Sequence, residues 1–263
     1  MITYYLKYGK ASIATINGRI KATFNVPEYY QEYIKWDVRS STLKYDDRKD
    51  IFFLHIIFRT ESPKPSGDKV LGIDRGIVNI AVCSNNVFFN GKQIKKVRAK
   101  YAFLRQKLQS KGTKSAKRLL RKISRKENSF VTDTNHCISK AIVNMPYDIF
   151  ALEDLTSIRV QSRKGKDFTR KLNNWSFYQL AQFLEYKAEA LGKSVIYVDP
   201  RFSSQKCSKC GDIRKSNRNG NSYHCKACGF QLHSDLNAAL NIAQAGISCL
   251  SRLSVNQPNV ETV

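Results

Sequence analysis

Residues 70–83, VLGIDRGIVNIAVC, contain the pattern that decides the fold. Two apolar segments, 69–74 and 78–83, lie on either side of a tight Arg75-Gly76 turn. Short apolar runs that are bounded by turn signals predict buried strands. Asp74 is the last residue of the first strand, so this segment predicts a core sheet and also a candidate functional carboxylate at its edge.

Outward from this segment, apolar strands alternate with helical patterns. We predict further strands at 87–89, 148–153 and 194–198. The helices are predicted as a basic pair within 92–126, divided at Gly112, and as segments 130–145, 174–191 and 235–245. Strands that alternate with helices predict an α/β core.

The first 66 residues have a different character. Predicted strands 12–16 and 19–24 flank Asn17-Gly18, a strong hairpin signal, and predicted strands 42–45 and 51–58 flank a polar turn. A Pro- and Ser-containing linker follows at 61–67. We therefore expect a partial β module with its linker at 1–66, a main domain at 67–250, and a tail without clear pattern at 251–263.

The cysteine spacing predicts a metal site. Two C-x-x-C-G motifs, separated by 14 residues, supply four thiols: Cys207, Cys210, Cys225 and Cys228. Four thiolates complete a tetrahedral structural Zn²⁺ site, and we interpret the nearby His224 and His233 as surface or packing residues. The odd total of seven cysteines argues against a secreted disulfide framework and favours a reducing compartment, hence a cytoplasmic, nucleoid-associated location.

Three carboxylates stand out by context. Asp74 and Glu153 end apolar strands, and Asp235 opens a predicted helix. If they converge at one edge of the sheet, they can hold two Mg²⁺ or Mn²⁺ ions about 3.5–4 Å apart. Taken singly, an aspartate before a glycine turn commonly forms the turn, and one at a helix start commonly caps it. Asp154 remains an alternative to Glu153.

Charge indicates a polyanionic partner. Lys and Arg number 45 against 21 Asp and Glu, giving a net charge of +24. No apolar run reaches the ~18–20 residues of a bilayer span, so the chain predicts a nucleic-acid partner rather than a membrane.

Residues 91–128 carry 15 Lys or Arg and one acid. Such a run is commonly a solvated helix face, but the scarcity of acids favours phosphate binding. The predicted phosphate-binding residues are Lys95, Lys96, Arg98, Arg105, Lys117, Arg118, Arg121, Lys122 and Arg125. Segment 159–171, with six more basic residues, is predicted as a loop beside the second of the three carboxylates, a candidate lid or strand-guiding segment.

The motifs GIDRGIVNIAV (72–82), ALEDL (151–155), the paired C-x-x-C-G and SDLNAALNIA (234–243), in this order, resemble the TnpB family. These are transposon-encoded proteins similar to compact type V CRISPR effectors. The resemblance implies a RuvC-like nuclease domain of the RNase H fold with an inserted zinc ribbon, here 203–232. It also implies that Asp74, Glu153 and Asp235 are the catalytic acids and bind Mg²⁺ or Mn²⁺.

We therefore expect a metal-dependent DNA endonuclease of a transposable element, guided in full-length relatives by an RNA from the element's end. Only about 70 residues precede the first motif, where family members carry a helical lobe, so an N-terminally truncated form is expected. Two alternatives remain open: a cleavage-deficient nucleic-acid-binding regulator of transposition, and a strand-transferring transposase. The sequence does not indicate an oligomeric state.

Overall fold

A computed structural model of the chain describes residues 2–47, 50–65, 67–155 and 177–255. The chain divides into two compact units, Met1–Ser62 and Pro63–Val263. None of the helices in the described ranges is long and apolar enough to cross a membrane.

The first unit consists of two small antiparallel sheets. Its strands are β1 (Ile2–Tyr5), β2 (Lys10–Thr15), β3 (Gly18–Thr23), β4 (Asp37–Asp46) and β5 (Ile51–Arg59), with a 3₁₀ helix at Glu28–Lys35. The order is β1-β2-β3 in one sheet, and β4 pairs with β5 in the other. Both predicted hairpins are present, and β1 was missed because its alternating residues are too few for a clear pattern.

The turn of the first hairpin differs from its prediction by one residue. Thr15 pairs with Gly18, so Ile16 and Asn17 form the turn, where the sequence predicted Asn17-Gly18. A two-residue Asn-Gly turn requires positive φ at both residues. Here Gly18 has φ 102°, whereas Asn17 is not among the residues with positive φ, so the glycine begins the strand instead.

The second unit is built on a mixed five-stranded sheet. Its strands are β6 (Val70–Asp74), β7 (Asn79–Cys83), β8 (Phe88–Asn90), β9 (Ile149–Glu153) and β10 (Ser194–Val198). The order is β10-β9-β6-β7-β8, with β10, β9 and β6 parallel and β7 and β8 antiparallel to their neighbours. This is the α/β core with an RNase H-like sheet that the resemblance implies, and the fold prediction is confirmed.

In the described part of the chain, the helices that accompany the sheet are α1 (Lys92–Lys111), α2 (Lys114–Val143), α3 (Phe177–Ala190) and α4 (Ser234–Val255). The main core contains buried Phe150 of the sheet with Ile142 of α2 and Leu184 of α3. Helix α4 contacts β6 closely, since a Cβ on Gly72 would lie 2.1 Å from the Ala239 carbonyl oxygen. The glycine of the GIDRG motif thus allows the last helix to approach the central strand.

Two helix predictions were wrong in their limits. The break at Gly112 is correct, since it has φ 63°, but α2 runs unbroken to Val143 where two helices were predicted. Its apolar stripe continues through the polar residues 127–129, with Ile123, Val131 and Ile138 all buried. Helix α4 continues past 250, so the predicted tail begins as helix, and its residues 256–263 lie outside the described ranges.

Candidate active site and zinc ribbon

The three predicted catalytic carboxylates meet at one edge of the sheet. Asp74 ends β6 and Glu153 ends β9, and the two strands are parallel neighbours in register. The carboxyl ends of parallel strands lie at the same edge, which brings these two side chains together. Asp235 is the second residue of α4, the helix that packs on β6, and it is buried.

The three carboxylates influence one another electrostatically. Burial, and after it the negative charges of Glu153 and Asp235, raise the pKa of Asp74 to about 8, against the lowering effect of Arg218 and Arg75. Burial also raises the pKa of Glu153, whereas a hydrogen bond from Ser203 opposes that shift. Like charges this close disfavour simultaneous ionisation unless a cation compensates them.

Glu153 is positioned at both its side chain and its backbone. The Ser203 hydroxyl donates to Glu153 Oε1, and the Arg75 guanidinium donates to the Glu153 carbonyl oxygen. Asp154, the alternative acid, is exposed, and its backbone N–H donates to the Val198 carbonyl oxygen at 2.9 Å. The structure therefore places Glu153, and not Asp154, beside Asp74.

Asp235 has a partner on each carboxylate oxygen. Asn79 Nδ2 donates to Oδ2 at 2.9 Å, and Arg218 Nη2 donates to Oδ1 at 3.1 Å. The Asp235 backbone N–H donates to Nδ1 of His233 at 3.2 Å, and that ring packs edge-on against Phe88 with centroids 5.0 Å apart. His233 is thus a packing residue that also fixes the start of α4.

Sequence reasoning missed Asn79, Ser203 and Arg218 as partners of the carboxylates, whereas His233 has the packing role that the sequence predicted. A signal existed for Asn79, because it is a polar residue inside the apolar run IVNIAV. Ser203 had no local signal, since its role depends on a contact with a residue 50 positions away.

The four predicted zinc ligands form a compact cluster. Their Sγ atoms all lie within 4.8 Å of one another, and the Cys207–Cys228 and Cys210–Cys225 pairs are 3.8 and 3.6 Å apart. A tetrahedral zinc site with Zn–S of about 2.3 Å requires sulfur atoms about 3.8 Å apart. The thiols present therefore fit a structural Zn²⁺ ion.

Both knuckles use the same turn. The Gly211 N–H donates to the Cys207 carbonyl oxygen and the Gly229 N–H to that of Cys225, each at 2.9 Å. Both glycines have left-handed φ, 80° and 71°. Backbone N–H groups of Cys228 and Ala227 point at the Cys225 sulfur and help lower its pKa to about 7, which favours the thiolate that binds metal.

The ribbon is a small sheet fastened to α4. Its strands are β11 (Arg218–Asn219), β12 (Ser222–His224) and β13 (Gln231–His233). Tyr223 is fully buried beneath the knuckles, and its hydroxyl donates to the Gln205 carbonyl oxygen at 3.1 Å. Asn237 of α4 accepts from the Ser208 N–H at 3.0 Å, so the first knuckle is tied to the helix that carries Asp235.

The three carboxylates are spaced differently from the thiols. Among the described residues, only the four cysteines form a group whose ligand atoms all lie within 4.8 Å. A site for two ions about 3.5–4 Å apart does not require all of its ligand atoms to lie within 4.8 Å of one another, because the carboxylate oxygens are divided between the two ions. The oxygen donors and the raised pKa of Asp74 fit a divalent cation, which would compensate the charge that burial penalises.

The predicted phosphate-binding residues lie on α1 and α2. Seven are exposed: Lys95, Lys96, Lys117, Arg118, Arg121, Lys122 and Arg125. Arg105 forms an ion pair with Glu127 across the two helices, and Arg98 is half-buried, with burial lowering its pKa. The predicted strand-guiding loop at 159–171 lies outside the described residues.

Comparison with known proteins gives matches over both sites. A family model described as "Probable transposase" matches residues 45–160, and one described as "Cas12f1-like, TNB domain" matches residues 177–242. The CRISPR-associated endodeoxyribonuclease Cas12f1 of Sulfoacidibacillus thermotolerans is 34% identical over 235 residues, 80% of this chain and 54% of that protein. A TnpB-like protein of Methanocaldococcus jannaschii is 34% identical over 158 residues, 57% of this chain and 56% of that protein.

Solved structures show the same fold. A cryo-EM structure of a Cas12f1–sgRNA–target DNA complex matches with a TM-score of 0.56 and 18% identity, over 80% of this chain and 64% of that one. The chain spans about half the length of the curated relatives it matches. The first family model includes Asp74 and Glu153, the second includes the four thiols and Asp235, and together with these relatives they show that the chain is similar to TnpB and Cas12f1 proteins over both sites.

Proposed function

We propose that this protein cleaves DNA phosphodiester bonds in a reaction that depends on a divalent cation. The observation that carries the proposal is the convergence of Asp74, Glu153 and Asp235 at one sheet edge, with the pKa of Asp74 raised to about 8. Strongly perturbed carboxylates that face one another are typical of catalytic sites. The names of its relatives, an endodeoxyribonuclease and a TnpB-like protein, support the same reaction.

Mg²⁺ or Mn²⁺ would be held by the three carboxylates, where it would supply a Lewis acid that activates water and stabilises the leaving oxygen. The protein's own part is to fix the orientation of the ligands. Ser203 holds Glu153, while Asn79 and Arg218 hold Asp235.

Nucleic-acid binding is proposed for the exposed cations of α1 and α2. Lysine and arginine neutralise phosphates without reading sequence, so these contacts position a strand rather than select it. A structurally similar Cas12f1 was solved with an sgRNA and target DNA, so we also propose that the longer relatives select their target through a guide RNA. We propose that this chain binds DNA through the exposed cations of α1 and α2.

The experiment is a cleavage assay of the purified chain on labelled single-stranded and duplex DNA, with Mg²⁺, Mn²⁺ or no added divalent cation. Cleavage that requires Mg²⁺ or Mn²⁺ and is lost in Asp74→Ala is the expected result. Tight binding without cleavage in any metal would favour the regulator, and joined rather than hydrolysed products would favour a strand-transferring transposase.

A further inference from the structure

An exposed aromatic ring stands one residue from the hydroxyl group that holds Glu153. Phe202 lies on the loop 199–206, which joins β10 to the first knuckle, and 54% of its surface is exposed. Its φ is 62°, in the left-handed region that bulky residues rarely adopt. The next residue is Ser203, the partner of the Glu153 carboxylate.

Contacts around the loop maintain this conformation. The Phe202 carbonyl oxygen accepts from the backbone N–H groups of Gln205 at 2.9 Å and Lys206 at 2.8 Å. Asn241 Nδ2, from α4, donates to the carbonyl oxygens of Ser203 at 2.8 Å and Lys206 at 2.7 Å. These hydrogen bonds are made to backbone oxygens of the loop and do not involve the Phe202 side chain. A left-handed backbone that is fixed by its surroundings is a feature of ligand-binding positions.

Two cations, Arg201 and Lys206, lie on the same loop as the ring. The Arg201 side chain is 82% exposed, and its ion pair with Asp199 is long, at 3.8 Å. Arg201 and Lys206 also line a cleft of about 420 Å³ between this loop and α4, a volume in the usual range for ligand sites. A ring for stacking beside cations for phosphate is the combination with which proteins hold single-stranded nucleic acid.

We propose that Phe202 is a stacking platform for one unpaired base of the strand in the active site, with Arg201 and Lys206 meeting its phosphate backbone. The proposal rests on the proposed function for the class of ligand, a single-stranded nucleic acid. Because every base has a π-face, the ring positions the strand beside Glu153 and does not read its sequence.

The test uses two strands of equal length, a labelled oligothymidine and an oligomer of abasic nucleotides, which share phosphates but not bases. Affinities are measured by fluorescence anisotropy without divalent cations and without chelator, so that the thiol cluster keeps its zinc. The variants are Phe202→Gly, whose backbone suits a left-handed φ, and Phe202→Trp, which restores a stacking surface. Tyr186→Ala is the control, because this exposed ring contacts His136 of α2 instead, with its hydroxyl 3.4 Å from Nδ1.

We expect Phe202→Gly to bind oligothymidine about 5- to 140-fold more weakly and the abasic strand as the wild type does. Its melting temperature should not fall, since glycine relieves the left-handed backbone. Phe202→Trp and Tyr186→Ala should bind both strands normally. Unchanged affinity of Phe202→Gly for oligothymidine, an equal loss for both strands, or no binding of either strand by the wild type would overturn the proposal.

The outcome separates this inference from the proposed function. Phe202-dependent binding of oligothymidine in a protein that does not cleave with Mg²⁺ or Mn²⁺ would refute the nuclease and leave the stacking platform standing. Metal-dependent cleavage with unchanged binding by Phe202→Gly would refute the platform and leave the nuclease standing.

Discussion

The thiol cluster and the carboxylate site are both sets of metal-ligand side chains, but the chain builds them in opposite ways. All four thiols lie between residues 207 and 228, on two copies of one turn with the same hydrogen bond in each. The carboxylates come from β6, β9 and the start of α4, which are far apart in sequence. The first site is made by local structure, and the second exists only when the whole sheet has formed.

The two sites also differ in how their charge is compensated. Four thiolates complete the coordination shell of one zinc ion without any further protein ligand. The acid site leaves Asp74 with a pKa of about 8 and takes a compensating cation, Arg218, from the ribbon itself. The ribbon therefore contributes a positive charge to the acid site and also holds the neighbouring loop in place.

The largest expected effect comes from removing a carboxylate. Asp74→Ala, Glu153→Ala and Asp235→Ala should each reduce cleavage to background, because each removes oxygen ligands that no neighbour replaces. DNA binding, measured by anisotropy, should be kept or become tighter, since a negative charge near phosphate is lost. Zinc content should stay at one ion per chain.

Asp154→Ala is the matched control for Glu153→Ala, because it removes an exposed acid from the adjacent position. It should cleave nearly as well as the wild type. A larger loss in Asp154→Ala than in Glu153→Ala would show that the site uses the other acid of the pair.

Loss of one thiol comes next. Cys225→Ser should abolish stable zinc binding and unfold the ribbon, because structural zinc and folding are coupled. Cleavage should fall as well, since Arg218 and Ser203 lose their supports, so this variant, unlike the acid variants, loses zinc and stability together with activity. Elemental analysis, thermal melting and the cleavage assay measure the three effects. Full zinc content with an unchanged melting curve would contradict the assignment of the four thiols.

Cys249→Ser is the control for this substitution. Cys249 lies on α4, outside the cluster, and is only half-buried. Its zinc content and activity should match those of the wild type.

The sequence predicted the local site more completely than the distributed one. The spacing of the thiols and the glycines after them already contain the geometry of the knuckles, so the four ligands followed directly. The strand ends Asp74 and Glu153 were also predicted, because apolar runs determine where strands stop. The strand pattern alone left Glu153 and Asp154 as alternatives, and Glu153 was predicted only from the resemblance to the family, since the choice depends on the pairing of β9 with both neighbours.

The sequence did not predict the residues that act through long-range contacts. Ser203 reaches Glu153 from the loop that follows β10, the strand paired with β9, and Arg218 reaches Asp235 from the ribbon. The unbroken α2 was missed for a different reason. Residues 127–129 are polar enough to suggest a break, but the buried residues before and after them lie on the same face of one continuous helix.

A smaller effect concerns the charge balance of the acid site. The folded pKa of Asp74 is raised from 3.8 to about 8, so folding favours its neutral form. Its stabilising contribution is present below pH 4 and is lost as the pH rises from about 4 to about 8. Asp74→Asn, which is neutral throughout, should therefore melt higher than the wild type at pH 8, and the difference should shrink toward pH 4.

Thermal melting at several pH values, with and without Mg²⁺, measures this difference. Added Mg²⁺ should stabilise the wild type more than Asp74→Asn, because the ion binds the charged site. Asp154→Asn, which replaces an exposed acid, should show no comparable pH-dependent increase in melting temperature. A difference in melting temperature between Asp74→Asn and the wild type that stays constant from pH 4 to pH 8 would contradict a raised pKa of Asp74.

The smallest expected effect tests the link between the two regions. Ser203→Ala removes the hydroxyl that donates to Glu153 while leaving the thiol cluster and the three acids in place. A hydrogen bond to a charged group contributes about 1.5 kcal/mol at the lower end of its range, so cleavage should slow about tenfold. Because this bond lowers the pKa of Glu153, its loss should move the acidic limb of the pH–rate profile to higher pH. Ser203→Thr keeps a hydroxyl and should restore both the rate and the profile, whereas a threonine variant as slow as the alanine variant would show that Ser203 acts only by packing.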